Sequence, residues 1–178
     1  MSRLHIMDAA FHYASTDTSR DQYVLLAFAW DTEPATMEDI AHFVSRRADL
    51  IPELNKRIRE VPGNLDYPRW VRDHTPKEAR VDELQAQSWG AVQDAVGRLV
   101  RQPVDATSAA WRVHVAPAVR GVPHTDGSAA VVVFQVSHAL ADGRGASQIA
   151  RKLFAQQPVR PTPSDDTSAA SRSLLPAA

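Results

Sequence analysis

His138 and Asp142 stand four residues apart, and Gly143 and Gly145 follow directly. An imidazole titrates near neutrality, so histidine is the side chain best suited to take and return a proton at working pH. Presented to a cleft, His138 would take the proton from an incoming hydroxyl or amine as that group attacks an acyl carbonyl. Such placement typically contributes about 10²–10⁴-fold. Two roles are open to Asp142: orienting the imidazole, or bracing the loop through an arginine. Gly143 and Gly145 permit a tight turn and close backbone approach. The bland alternative is an aspartate capping a helix behind a histidine in a turn, and residue types alone weigh the two about equally.

A histidine does chemistry only if rigid elements hold it. Ala130 to Val136 is an apolar, β-branched run and predicts a buried strand. Ala146, Ile149, Ala150, Leu153 and Phe154 recur at three- and four-residue spacing and predict an amphipathic helix. Ser137 to Gly145 is therefore a polar loop between strand and helix, where functional side chains tend to sit.

The elements around it read as follows. Met7 to Phe11 is a short motif ahead of polar turn residues. Gln22 to Trp30 is a strand with both faces apolar, which predicts cover on two sides. Asp31 to Ala35 is a turn. Thr36 caps a helix, with Asp39 completing a capping box and Ile40, Phe43, Val44 and Ala48 on one stripe. Pro52 ends that helix near Leu50. Leu54 and Ile58 continue an apolar spacing, and the basic residues around them form a solvated face. Pro62 to Asn64 is a turn and Tyr67 to Asp73 a short strand. His74 to Gln87 is unpatterned and reads as a loop. Ser88 caps a helix with Trp89, Val92, Val96, Leu99 and Val100 on one face, closed by Pro103. Trp111, Val113 and Val115 point inward from a half-buried strand, with Arg112 and His114 outward. Gly121 to Ser128 makes a hairpin connection to the strand before His138. Residues 1–155 form one α/β or α+β lobe. Residues 156–178, rich in Pro, Ser, Thr and Ala, form a linker or tail.

Composition removes other chemistries. The 178 residues carry a formal net charge of −1, which argues against phosphate neutralisation on nucleic acid. The absence of cysteine excludes disulfides, thiolate nucleophiles and cysteine-ligated metals. The remaining histidines lack ligand spacing, so no metal is expected. No apolar run approaches the length of a membrane span and charge comes too early for a signal peptide, so a cytoplasmic location is expected. The glycine-rich turn lacks a phosphate-loop lysine, and Ser137 lacks a nucleophile elbow.

Val136-Ser137-His138-Ala139-Leu140-Ala141-Asp142-Gly143 resembles the His-His-x-x-x-Asp-Gly motif of the wax ester synthase/diacylglycerol acyltransferase family, within the chloramphenicol acetyltransferase-like and condensation-domain superfamily. Met7-Asp8-Ala9-Ala10-Phe11 resembles that family's N-terminal Asp-x-x-Phe. The segment from Leu50 to Arg57 resembles its "vPrlrqR" stretch. Pro103-Val104-Asp105 with Trp111-Arg112-Val113 resembles its "pLD…PLW" segment. Ser137 replaces the motif's first histidine, Ala109-Ala110 replaces the proline-leucine before Trp111, and residues 74–87 lack the family's "HvR…lP.PG" stretch.

The resemblance implies half of a two-lobe enzyme with its active site in a tunnel between lobes. This chain would be the N-terminal lobe, its partner the C-terminal lobe, fused, cleaved or separate. His138 would be the general base, Asp142 a structural support, and Gly143 the glycine that keeps the tunnel open. The co-substrate would be acyl-CoA or an acyl carrier thioester, with no bound cofactor. The acceptor would be an alcohol, such as a long-chain alcohol or diacylglycerol, or an amine. A lipid acceptor would bring contact with a membrane or lipid-body surface. The alternative is a degenerate lobe that binds an acyltransferase without turning over. A chloramphenicol acetyltransferase-like oligomer ranks last, because the chain carries no second motif.

Overall fold

The computed structural model describes residues 2–15, 20–29 and 35–155. The expected turn from Asp31, the end of the first long strand at Trp30 and the tail all fall wholly or mostly outside them.

Strand β1 (Ser2–Arg3) leads into helix α1 (Ile6–Ala14), and strand β2 (Gln22–Ala29) follows. Helix α2 (Met37–Asp49) starts on the predicted capping box: Thr36 accepts from the Asp39 N–H, and the Asp39 carboxylate accepts from the Thr36 N–H. After α2 come β3 (Lys56–Arg59), β4 (Arg69–Arg72), β5 (Val81–Glu83), α3 (Trp89–Leu99), β6 (Trp111–Arg120), β7 (Ser128–Val136) and α4 (Gly143–Phe154). No helix among the described residues is long and apolar enough to cross a membrane.

The strands form two sheets. One has the order β2-β7-β6-β5, with β5 parallel to β6 and the other pairs antiparallel. The other is a small antiparallel sheet, β1-β4-β3. On one face of the larger sheet, Val44, Ala48 and the inner residues of α4 cover Trp111, Val113, Val132, Phe134 and Val136. On the other, Val92 of α3 packs on Ala116, Val119, Ala129 and Val131. A third cluster joins Leu4 and Ala9 to Ile58, Ala110 and Ala139. It ties the N-terminus and the small sheet to the loop that follows β7. β7 is thus buried along almost its whole length, as its mainly apolar run predicts.

Four expectations are corrected. Ile6 to Ala14 is a helix, which its stripe conceals: Ile6 and Met7 are exposed, while the buried residues are Ala9 and His12. β2 is an edge strand, not one covered on two sides. Val24, Leu26 and Phe28 pack on the first core, but Leu25 on the opposite face is 42% exposed. Leu54 and Ile58 do not share a helix face. A 3₁₀ turn at Pro52–Asn55 breaks the helix, and the Asn55 amide donates to the carbonyls of Ala48, Asp49 and Ile51 at 2.9–3.1 Å. The chain then runs extended, sending Leu54 and Ile58 to different cores. Residues 74–87 contain a 3₁₀ turn at Glu78–Arg80 and strand β5.

His114 is also buried, not outward in solvent. The Gln135 amide nitrogen donates to Asp21 (2.7 Å) and to the Gln102 carbonyl (2.8 Å). Both are pure acceptors, so the amide oxygen must face His114, whose Nε2 donates to it at 2.9 Å. Burial pushes the Asp21 carboxyl up, against the opposing pull of the Val104 N–H and Gln135.

Candidate functional site

His138 sits two residues beyond β7, in a turn that closes onto α4. Ser137 builds that turn. Its N–H donates to the Ala110 carbonyl at 2.9 Å, and its own carbonyl accepts from Leu140 and Ala141. Its hydroxyl accepts from the Ala139 N–H at 3.3 Å. Ser137 is buried at 2% exposure, so its hydroxyl serves the backbone and is not presented as a nucleophile.

The His138 imidazole is partly exposed. The ring of Phe11 lies against it, with centroids 3.9 Å apart and planes 20° from parallel. Among the described residues, no hydrogen bond engages either ring nitrogen. His138 therefore comes from the end of β7 and its stacking partner from α1, more than a hundred residues earlier.

Asp142 does not orient that ring and is not paired with an arginine among the described residues. It is the N-cap of α4: its carboxylate accepts from the Gly145 N–H at 2.7 Å. Gly145 is there for closeness, since a Cβ would lie 3.2 Å from both the Asp142 carboxylate and the Ala141 side chain. At Gly143 a Cβ would meet only the flexible end of Gln22, at 3.3 Å. The geometry makes a prediction. Asp142→Ala should destabilise the fold by about 1 kcal/mol, the usual cost of losing a cap, whereas Asp142→Asn should retain both stability and any activity. Urea denaturation of the two variants checks this, and a large loss of rate in Asp142→Asn would show that the negative charge itself is needed.

His138 lines neither of two cavities formed by described residues near these elements. A pocket of about 270 Å³ lies beside the motif, between Glu53, Asp142 and Lys152. An apolar groove of about 560 Å³ runs between Phe28, Phe43, Val132 and Phe154. Val132 is four residues before the end of β7, so that part of the groove lies about 13 Å down the strand from the turn that carries His138. The described residues contain no group of three or more His, Asp or Glu side chains able to hold a metal ion.

Sequence reasoning named His138, Asp142, Gly143 and Ser137 but missed the Phe11 contact. The available signal was Phe11 itself, the last residue of the motif at the N-terminus.

Comparison with known proteins places the site in context. A model of the wax ester synthase/diacylglycerol acyltransferase catalytic domain matches residues 4–177. Among solved structures, the wax ester synthase/diacylglycerol acyltransferase from Marinobacter aquaeolei VT8 superposes with a TM-score of 0.61 at 21% identity, over 85% of this chain and 38% of that one. The starter condensation domain of rhizomide synthetase in complex with C8-CoA gives 0.60 at 16% identity, over 85% of this chain and 34% of that one. The trichothecene 15-O-acetyltransferase from Fusarium sporotrichioides gives 0.57 at 12% identity, over 86% and 34%. This chain thus spans well under half the length of the structures it matches. A search of curated proteins found no match.

Proposed function

The chain belongs to the wax ester synthase/diacylglycerol acyltransferase catalytic-domain family, and from that membership we propose that it is the N-terminal lobe of an acyl-CoA-dependent acyltransferase with His138 as general base. The observation that carries this reading is the state of the imidazole: held at a strand end, partly exposed, with both nitrogens free of hydrogen bonds to described residues. A base must keep such a nitrogen open for the proton it will take.

In the proposed reaction, a ring nitrogen of His138 takes the proton of an acceptor hydroxyl or amine. The acceptor atom attacks the thioester carbonyl. The tetrahedral intermediate collapses by breaking the carbon–sulfur bond, and the departing thiolate recovers the proton from the imidazolium. The acceptor class includes long-chain alcohols and diacylglycerol, with amines next. The C8-CoA complex of the rhizomide synthetase domain supports a thioester as donor. Residues 1–155 would form the lobe and 156–178 the connection to a second lobe that supplies the opposite wall. The protein would work in the cytoplasm, at a membrane or lipid-body surface where the acceptor is a lipid.

A second reading, a degenerate lobe that binds without turnover, draws on one observation: His138 lines neither cavity described here. Thiol release separates the two. With both lobes present and acyl-CoA supplied, free thiol should appear only when an alcohol or amine acceptor is added. Thioester binding without acceptor-dependent release would favour the binding module.

A further inference from the structure

We propose that Phe11 is a positioning residue for His138, a ring that holds the plane of the imidazole by face-to-face stacking where other bases are held by a carboxylate. The inference rests on the reading of His138 as the base. The carboxylate nearest in sequence, Asp142, is occupied by the Gly145 N–H. The contact that does meet the ring is Phe11, at 3.9 Å and 20°.

Stacking suits this task for a geometric reason. The lone pair and the N–H of an imidazole lie in the ring plane, so a neighbour on the face restrains ring rotation without covering either nitrogen. Offset aromatic contacts are directional as well as apolar. The restraint is only as firm as the helix that carries it, and α1 is anchored on several sides. The Leu4 N–H donates to the Pro68 carbonyl at 2.9 Å. Ala9 is buried in the cluster that also holds Ala139, the residue after His138. His12, the residue after Phe11, is buried and its Nε2 lies 2.9 Å from the Glu60 carboxylate. The N-terminal helix and the catalytic turn are thus packed as one unit.

Two measurements test the proposal. In this chain alone, nuclear Overhauser contacts should join the ring protons of Phe11 and His138, and the His138 carbon-bound protons should be shifted upfield by the facing ring. Phe11→Leu, which keeps apolar volume but no ring, should abolish the shift, and Phe11→Tyr should keep it. In the protein carrying both lobes, Phe11→Leu should lower kcat by about 10–10²-fold with KM unchanged, up to the loss that a misplacement of about 1 Å can cause, and Phe11→Tyr should restore most of it. Full kcat in Phe11→Leu, or absence of the Overhauser contacts in the unaltered chain, overturns the proposal. Should Phe11→Leu fail to fold, the Overhauser contacts in the unaltered chain still decide it. A failure of the base reading looks different: His138→Ala would then stay active while the ring contacts remain.

Discussion

Replacing His138 with alanine, in the protein that carries both lobes, is expected to lower kcat for acyl transfer by about 10²–10⁴-fold and to leave KM for the thioester unchanged. Proton removal is needed in the transition state and contributes nothing to ground-state binding, so its loss falls on kcat and kcat/KM together. The ring is partly exposed and makes no hydrogen bond with described residues, so the alanine should fold normally, and far-UV circular dichroism can check that it does. Two neighbours serve as controls. Ser137→Ala removes a hydroxyl that only holds the turn, and should alter stability more than rate. Asp142→Asn keeps an N-cap and should keep the rate. Stopped-assay thiol release with the alcohol acceptor reads all three. Wild-type kcat in His138→Ala would remove the imidazole from the mechanism and leave the binding-module reading in its place.

The parts of this protein that were legible beforehand are those where local pattern and tertiary environment agree. β7 is apolar from Ala129 to Phe134 because it is covered on both faces, and α2 and α4 begin where their caps are written. The misreadings arise where the environment is set by distant chain. β2 has an apolar outer face, yet Leu25 on it stays 42% exposed. α1 carries its exposed apolar residues on the wrong side for a stripe and is seated by Ala9 and His12. His114 looks like a solvent-facing strand residue until Gln135 and Asp21, far apart in sequence, are seen to meet beside it. For the site, the sequence pointed to His138 and Asp142 by type and spacing, and the structure makes Asp142 the N-cap of α4. The ring stacked on His138, Phe11, became visible only once α1 and the end of β7 were brought together in space.

The largest effect on stability is expected at a pair that no periodicity marks. Arg80 is 2% exposed and Asp73 is 3% exposed; the guanidinium donates to the carboxylate and lies over the Trp111 ring at 5.0 Å. Trp111 in turn donates its indole N–H to the Leu54 carbonyl at 3.0 Å, so the pair sits at the junction of β6, the 3₁₀ turn after α2 and the strand β4. Asp73→Ala should destabilise the fold by about 3–5 kcal/mol, the cost of leaving a buried charge without its partner. That is a large share of the roughly 5–15 kcal/mol a domain possesses. Arg80→Met should cost less. Without Arg80, the Asp73 carboxylate still accepts from the Thr75 N–H at 2.9 Å and can become neutral by taking a proton, whereas a guanidinium left alone cannot shed its own. Among the described residues the Arg80 Nε and Nη1 have no hydrogen-bond partner, so the methionine also removes two unsatisfied donor nitrogens. The pH dependence has a definite sign. Burial alone would push the Asp73 carboxyl up, but the Thr75 N–H and the Arg80 guanidinium outweigh it and hold it below the ordinary carboxylate range. A depressed carboxyl stabilises the folded chain fully above the unfolded value of about 3.9, and that contribution fades as pH falls through the lower folded value. Urea midpoints of the unaltered chain should therefore fall between about pH 4 and the acid limit, and part of that fall should be missing in Asp73→Ala. A midpoint for Asp73→Ala equal to wild type at neutral pH would show that the pair is compensated elsewhere and that Trp111 is held without it.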